Sequence, residues 1–101
     1  MIKVKFKEWN CYLEFDKYLS TDNNAIHLKE EETDEYIATA SVNLSGIRLE
    51  KDEVMIKDYS ENEGMLKTLV NAKIIGEPIT HIQSGFVLIP VCKILVDYET
   101  E

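Results

Sequence analysis

Ile2, Val4 and Phe6 alternate with Lys3, Lys5 and Lys7, a period of two that sets apolar side chains on one face of a strand and three lysines on the other. After a short break at residues 8–10 the alternation resumes. Cys11, Leu13 and Phe15 oppose Tyr12, Glu14 and Asp16, which predicts a second strand within residues 9–18. Residues 20–24, Ser-Thr-Asp-Asn-Asn, are turn formers whose short polar side chains bond to nearby backbone, and they end that strand. Residues 25–31 and 36–44 read as two further strands joined through Glu32-Thr33-Asp34-Glu35, a hairpin with a charged tip. In the second of them Tyr36, Ala38, Ala40, Val42 and Leu44 form the expected core set, with Ile37, Thr39, Ser41 and Asn43 on the other face. Ser45-Gly46 breaks the pattern, Glu50-Lys51-Asp52-Glu53 makes an exposed turn, and residues 54–59 return to a short strand.

The period changes after Tyr59. Ser60 followed three residues later by Glu63 has the spacing of a capping box, in which the serine oxygen takes a free amide of the first turn and the glutamate returns the bond. Met65, Leu66, Leu69 and Val70 then form one apolar stripe, with Glu61, Lys67, Thr68 and Asn71 off it, so a helix is expected from residue 60 to about 72. Gly76-Glu77-Pro78 turns the chain, residues 79–83 are a candidate strand, and residues 86–96 are the longest apolar run. Pro90 has no amide hydrogen and is expected at a bulge or an edge position of that last strand. The acidic tail, residues 97–101, is expected to fray. Together these elements predict one α+β domain spanning residues 1–101, a mostly antiparallel sheet of five to seven strands with one principal helix packed on one face.

Composition narrows the class. With 101 residues the chain has room for a single core, and 45% hydrophobic against 30% charged residues suffices for an ordered fold without metals or disulfides. Cys11 and Cys92 stand far apart, outside the paired spacings of zinc sites and inside apolar runs, and no secretory signal precedes them. They are expected to be reduced, buried thiols of a cytoplasmic protein. No apolar run approaches the roughly 20 residues of a membrane span. Nineteen acidic against eleven basic residues give a net charge of -8, which opposes docking on phosphate backbones, so no direct nucleic-acid partner is expected. Arg48 is the only arginine, so bidentate phosphate or guanine forks are nearly absent as well.

Three constellations could carry function. Asp58, Glu61 and Glu63 offer carboxylates within six residues, which could bind a divalent cation or act as an acid and base pair, as in a small hydrolase or ligand-binding enzyme using Tyr59 beside them. The stronger reading is structural, because acidic side chains near a helix start are favoured by its free amides and dipole. Tyr59 itself reads either as a core tyrosine or as a hydrogen-bonding anchor for a partner. Glu30, Glu31, Glu32, Asp34 and Glu35 form the densest charge cluster. On a protruding hairpin, same-face carboxylates would fall about 6.7 Å apart, a row able to enter a basic groove of another protein, although a solvated hairpin tip is the simpler reading. His27 and His81 are isolated and the serines lack a nucleophile-elbow context, so no catalytic residue, metal ligand or cofactor is expected.

Asn43-Leu44, the run Val54-Met55-Ile56-Lys57-Asp58-Tyr59-Ser60-Glu61-Asn62-Glu63-Gly64-Met65-Leu66, then Gly85-Phe86-Val87 and Pro90-Val91-Cys92 resemble an uncharacterised family catalogued as domain of unknown function 4313. Its members are small proteins of phages, plasmids and conjugative elements of bacteria. The resemblance covers most of the chain after Ala25, and members usually carry glycine where this chain has Lys73. It implies a small α+β domain and a mobile-element origin, and supplies no catalytic residues. The expectation is a non-enzymatic protein-binding accessory factor, monomeric or weakly self-associating, whose partner is a host or phage protein. An inhibitor of a host defence protein such as a CRISPR nuclease fits that description. Its partner-binding residues would come from Asp58, Tyr59, Glu61 and Asn62 and from the acidic cluster at Glu30 to Glu35. A homo-oligomeric module joined through exposed strand edges is the alternative outside enzymes.

Overall fold

In a computed structural model, which describes residues 1–98, the alternating segments form antiparallel strands. β1 (Lys3–Phe6) and β2 (Trp9–Lys17) are joined by a two-residue turn in which Lys7 takes φ 55°. β3 (Asn24–Glu30) pairs with β2, and β4 (Tyr36–Thr39) pairs with β3, giving a four-stranded sheet in the order β1-β2-β3-β4. β5 (Glu53–Met55), β6 (Thr80–Ser84) and β7 (Val87–Lys93) form a three-stranded sheet in the order β5-β7-β6. One α-helix, α1 (Met65–Asn71), follows a 3-10 turn at Ser60–Asn62. The expected antiparallel α+β architecture is therefore present, with seven strands among the described residues divided between two sheets. The last part of the expected frayed tail, residues 99–101, lies outside the described residues.

The strand expected over residues 36–44 leaves β3 after Ala40, whose amide still donates to the Ile26 carbonyl at 2.8 Å, because the chain changes partner. The Val42 amide donates to the Met55 carbonyl at 3.0 Å, the Lys57 amide donates to the Ala40 carbonyl at 2.8 Å, and Ser41 faces Ile56 in an isolated bridge. On its other flank the Ile56 amide donates to the Pro90 carbonyl at 3.0 Å. Residues 53–57 thus lie hydrogen-bonded between the two sheets. Pro90 is a correction: it sits in β7, the central strand of its sheet, rather than at an edge. Its own carbonyl faces β5, so its missing amide hydrogen falls on that side too, where β5 ends and one ladder bond is dispensable.

The main core lies between the sheets. Cys11, Leu13 and Phe15 of β2, Ile26 and Leu28 of β3, and Ala38 and Ala40 meet Val54, Ile56, Cys92 and Ile94, and Met65 and Leu69 of α1 cover them. Full burial of one such side chain as Leu69 contributes roughly 2 kcal/mol. A second apolar layer occupies the opposite face of the three-stranded sheet, where Val42, Leu44, Ile47 and Leu49 cover Met55, Ile89 and Val91. The expected core set of residues 36–44 therefore divides: Ala38 and Ala40 enter the main core, Val42 and Leu44 the second, and Tyr36 stays 62% exposed at the sheet edge.

The turn at residues 20–24 reaches further than local turn chemistry implies. Asn23 Nδ2 donates to the Ile47 carbonyl at 2.7 Å while its Oδ1 accepts from the Leu49 amide at 2.9 Å. Asn24 Nδ2 donates to the carbonyls of Lys51 and Glu53, both at 2.9 Å. Both asparagines are buried. They satisfy carbonyls and an amide of the covering loop that would otherwise cost about 1–3 kcal/mol each if left unpaired.

Helix α1 ends through a left-handed residue. The Lys73 amide donates to the Val70 carbonyl and the Ile74 amide to the Leu69 carbonyl, the paired bonds of a Schellman ending, with Lys73 at φ 61°. Ile74 and Leu69 are both buried, which supplies the apolar contact that accompanies this motif. A lysine Cβ is strained in that conformation by about 1–2 kcal/mol, part of which glycine returns through its freer unfolded state. Lys73→Gly is expected to raise the unfolding free energy by about 0.5–1 kcal/mol. A urea melt with an unchanged or lowered midpoint would contradict the left-handed ending.

Candidate functional site

The carboxylate-rich turn after residue 57 is organised by Asp58. Its Oδ1 accepts the Gly64 amide at 3.1 Å and the Leu66 amide at 2.9 Å, so it holds the first turn of α1 from six and eight residues upstream. Charge-assisted bonds to free amides, at the positive end of the helix dipole, make this arrangement favourable. The expected capping box is not formed. Ser60 starts a 3-10 turn with φ 56° and no side-chain capping bond, and Gly64, at φ 96°, redirects the chain so that the α-helix begins only at Met65. The Glu63 amide that Ser60 Oγ was expected to cap donates to the Ser60 carbonyl at 3.2 Å instead, and Asp58 takes the amides at the start of α1.

Asn62 fastens the turn to the sheet. It is buried, and its Nδ2 donates to the Thr39 carbonyl at 2.6 Å, where β4 turns away from β3. Lys57 Nζ donates to Glu61 Oε2 at 2.8 Å and lies 5.5 Å from the centre of the Tyr59 ring, and Lys7 Nζ donates to the Glu61 carbonyl at 2.8 Å. The Lys57 ammonium holds the Glu61 carboxyl below the usual carboxylate range, and Glu61 in turn raises Lys57. A general acid working near neutral pH needs the opposite shift of its carboxyl.

Beside this turn opens a groove of about 510 Å³. Its floor is the segment carrying Ile37, Thr39 and Ser41, and Tyr18, Tyr36 and Tyr59 stand around it with Lys57 and Glu61. The Tyr18 hydroxyl is 2.8 Å from Ser41 Oγ, which also accepts the Ile26 amide at 3.0 Å, and burial raises the Tyr18 phenol above its ordinary range. The Tyr36 hydroxyl is 2.8 Å from Thr39 Oγ1, which lies 3.0 Å from His27 Nδ1. Two of the three phenols are thus tethered to the floor. Tyr59 packs against the second apolar layer while lining the groove.

Of the expected site residues, Tyr59, Glu61 and Asn62 line this groove; Asp58 does not, being committed to the helix amides. The acidic cluster lies elsewhere and does not form a row. Glu30 closes β3, and its carboxylate folds back to accept the amides of Glu32 and Thr33, both at 2.7 Å, and the Thr33 hydroxyl at 3.0 Å. These bonds, the Thr33 amide first, hold its carboxyl below the usual range. Glu31 pairs with Lys3, and Asp34 accepts the Tyr12 hydroxyl at 2.7 Å. The chain turns at residues 31–33 with Asp34 left-handed, so the even spacing of an extended strand is lost. Glu32 and Glu35 remain exposed.

Cys11 and Cys92 are unpaired and buried. Burial pushes both thiols up, Cys92 to about 11 with Glu77 adding to the effect. Among the described residues no three side chains of metal-ligating type converge, and no helix is long and apolar enough to cross a membrane. Sequence reasoning did not single out Tyr18, Tyr36, Thr39 or Ser41. The available signal was the run of hydroxyl and amide side chains at Thr39, Ser41 and Asn43 on one strand face.

Asp58→Ala is expected to lower stability by about 1–2 kcal/mol, whereas Ser60→Ala leaves it within about 0.5 kcal/mol. Equal losses in chemical denaturation would restore the capping box. Neither thiol should react with a disulfide reagent at pH 8 in the native protein, and both should react once it is unfolded, as release of the chromogenic thiolate would report. No family model, curated protein or solved structure matches this chain.

Proposed function

We propose that the protein works by binding another protein through the groove bounded by Tyr18, Tyr36 and Tyr59, with no chemistry of its own. The observation that carries this reading is the convergence of three tyrosines, from three separate segments, on one open groove. Tyrosine joins a large rigid apolar surface to a polar tip at little cost in side-chain freedom, which is why it dominates binding hot spots. The residues a carboxylate-based hydrolase would use speak against that alternative, since Asp58 is bonded to helix amides and Glu61 is held ionised by Lys57. The net charge of -8 favours a basic partner surface and disfavours nucleic acid. Given the resemblance to the mobile-element family, the partner is a host or phage protein, with defence proteins such as CRISPR nucleases the first to test.

Tyr36→Ala removes the most exposed of the three rings and leaves both cores intact, so it separates binding from folding. In crosslinking from a bacterial host, the unaltered protein should capture a defined partner, and Tyr36→Ala should weaken that purified complex about tenfold or more. An identical affinity for the variant, with its circular dichroism unchanged, would remove the groove from the interface. Glu32→Lys combined with Glu35→Lys tests the hairpin separately: loss of binding there, with Tyr36→Ala silent, would transfer the interface to the acidic tip.

A further inference from the structure

The strand edges of this molecule are protected unequally. β1 carries Lys3 and Lys5, with Lys7 in the turn that follows, charges of the kind that keep an edge from pairing with another chain. At the outer end of β4 the main chain is already occupied, Asn62 taking the Thr39 carbonyl and Lys57 the Ala40 carbonyl. β6 has β7 on one side and, among the described residues, no strand on the other. β6 and all of β7 before Lys93 are free of charge: residues 78–92 contain no Asp, Glu, Lys or Arg, the longest such run in a chain in which 30% of residues are charged. Near it Phe86 is fully exposed and Leu88 is 60% exposed.

We infer that β6 is a self-association edge, on which a second copy of this chain pairs antiparallel about a twofold axis at Ile82. Two copies each carrying a charge of -8 repel over most of their surfaces, and the uncharged hairpin is where they can approach at least cost. The ladder geometry fits this symmetry. Pro90 lies opposite His81, and its carbonyl is engaged on the β5 side by Ile56. His81 therefore receives no ladder bond from β7, and its amide and carbonyl, like those of Gln83 two residues on, face outward. A twofold axis at Ile82 sets His81 against Gln83 of the partner subunit in a hydrogen-bonded pair, twice over, for about four main-chain bonds. The two three-stranded sheets become one of six strands. This inference is independent of the tyrosine groove, which lies on the other sheet.

Sedimentation velocity of the full chain across a concentration series tests it. The unaltered protein is expected to pass from monomer to dimer. His81→Lys with Gln83→Lys places like charges opposite each other at both pairs and should weaken the dimer on the order of tenfold or more. His81→Lys with Gln83→Glu places opposite charges there and should restore it. A monomer at every concentration, a dimer indifferent to the first variant, or no recovery in the second would each overturn the proposed register. Hydrogen exchange on the unaltered chain needs no substitution: the His81 and Gln83 amides should gain protection as concentration rises, and concentration-independent exchange would overturn the edge pairing.

Discussion

Residues 53–57 are hydrogen-bonded on both flanks, to β7 on one side and to residues 40–42 on the other, and both sheets depend on this segment for their relation to each other. Its side chains alternate between two apolar layers. Val54 and Ile56 enter the main core and Met55 the second, all at 0–1% exposure. Burial of three such side chains contributes roughly 6 kcal/mol, a large part of the 5–15 kcal/mol that stabilises a typical domain. A slip of one residue would exchange the two layers and bury Glu53 or Lys57 in place of an aliphatic chain. The register is fixed accordingly, and Asn24, bonded to the Glu53 carbonyl, marks where it begins.

That constraint also locates the groove. Because the chain changes partner at Ala40, from β3 to residues 55–57, the chain just after that pairing, from Lys57 to Asn62, must run beside β4. Tyr59 and Glu61 become one wall and the polar face of residues 37–41 the floor. Asn62 could not be replaced by an acid of the same shape, since its Nδ2 donates to the Thr39 carbonyl and a carboxylate would set oxygen against oxygen. The same reasoning applies to Asn23 and Asn24. Among the described residues no buried side-chain nitrogen or oxygen lacks a partner, so these amides support the fold without an unsatisfied group.

What was legible in the sequence was whatever one element decides by itself. The alternation of Cys11, Leu13 and Phe15 and the stripe of Met65 and Leu69 report which face is buried, and the core uses them as read. Residues whose role depends on a distant partner were not legible. Ser60 and Glu63 have capping-box spacing, but the glycine at 64 turns the helix start toward Asp58, a geometry that spacing cannot encode. Asn23 and Asn24 look like local turn formers and prove to bond residues 47–53. Pro90 suggests an edge because a central strand ordinarily needs every amide, yet β5 stops at the one place where the bond can be spared. The acidic cluster had the composition of a charged row, and the backbone amides of its own turn drew Glu30 inward. The tyrosines could not be grouped from sequence because Tyr18, Tyr36 and Tyr59 meet only through the change of partner at Ala40.

Ser60 shows how such long-range bonds decide local conformation. A serine at φ 56° is held against its own preference by about 1–2 kcal/mol. On one side Asp58 makes two charge-assisted bonds to helix amides, and on the other the buried Asn62 bonds the Thr39 carbonyl. Each is worth on the order of the strain, and together they exceed it. The residues flanking Ser60 are Tyr59 and Glu61, the wall of the groove. Their backbone is therefore clamped from both sides, and Lys57 further restrains their side chains by bonding the Glu61 carboxylate and lying over the Tyr59 ring. On the binding role proposed for the groove, a wall ordered in advance loses little freedom on association, so more of the contact energy remains as affinity. The strain at Ser60 thus sits between the two clamps, in the wall of the groove.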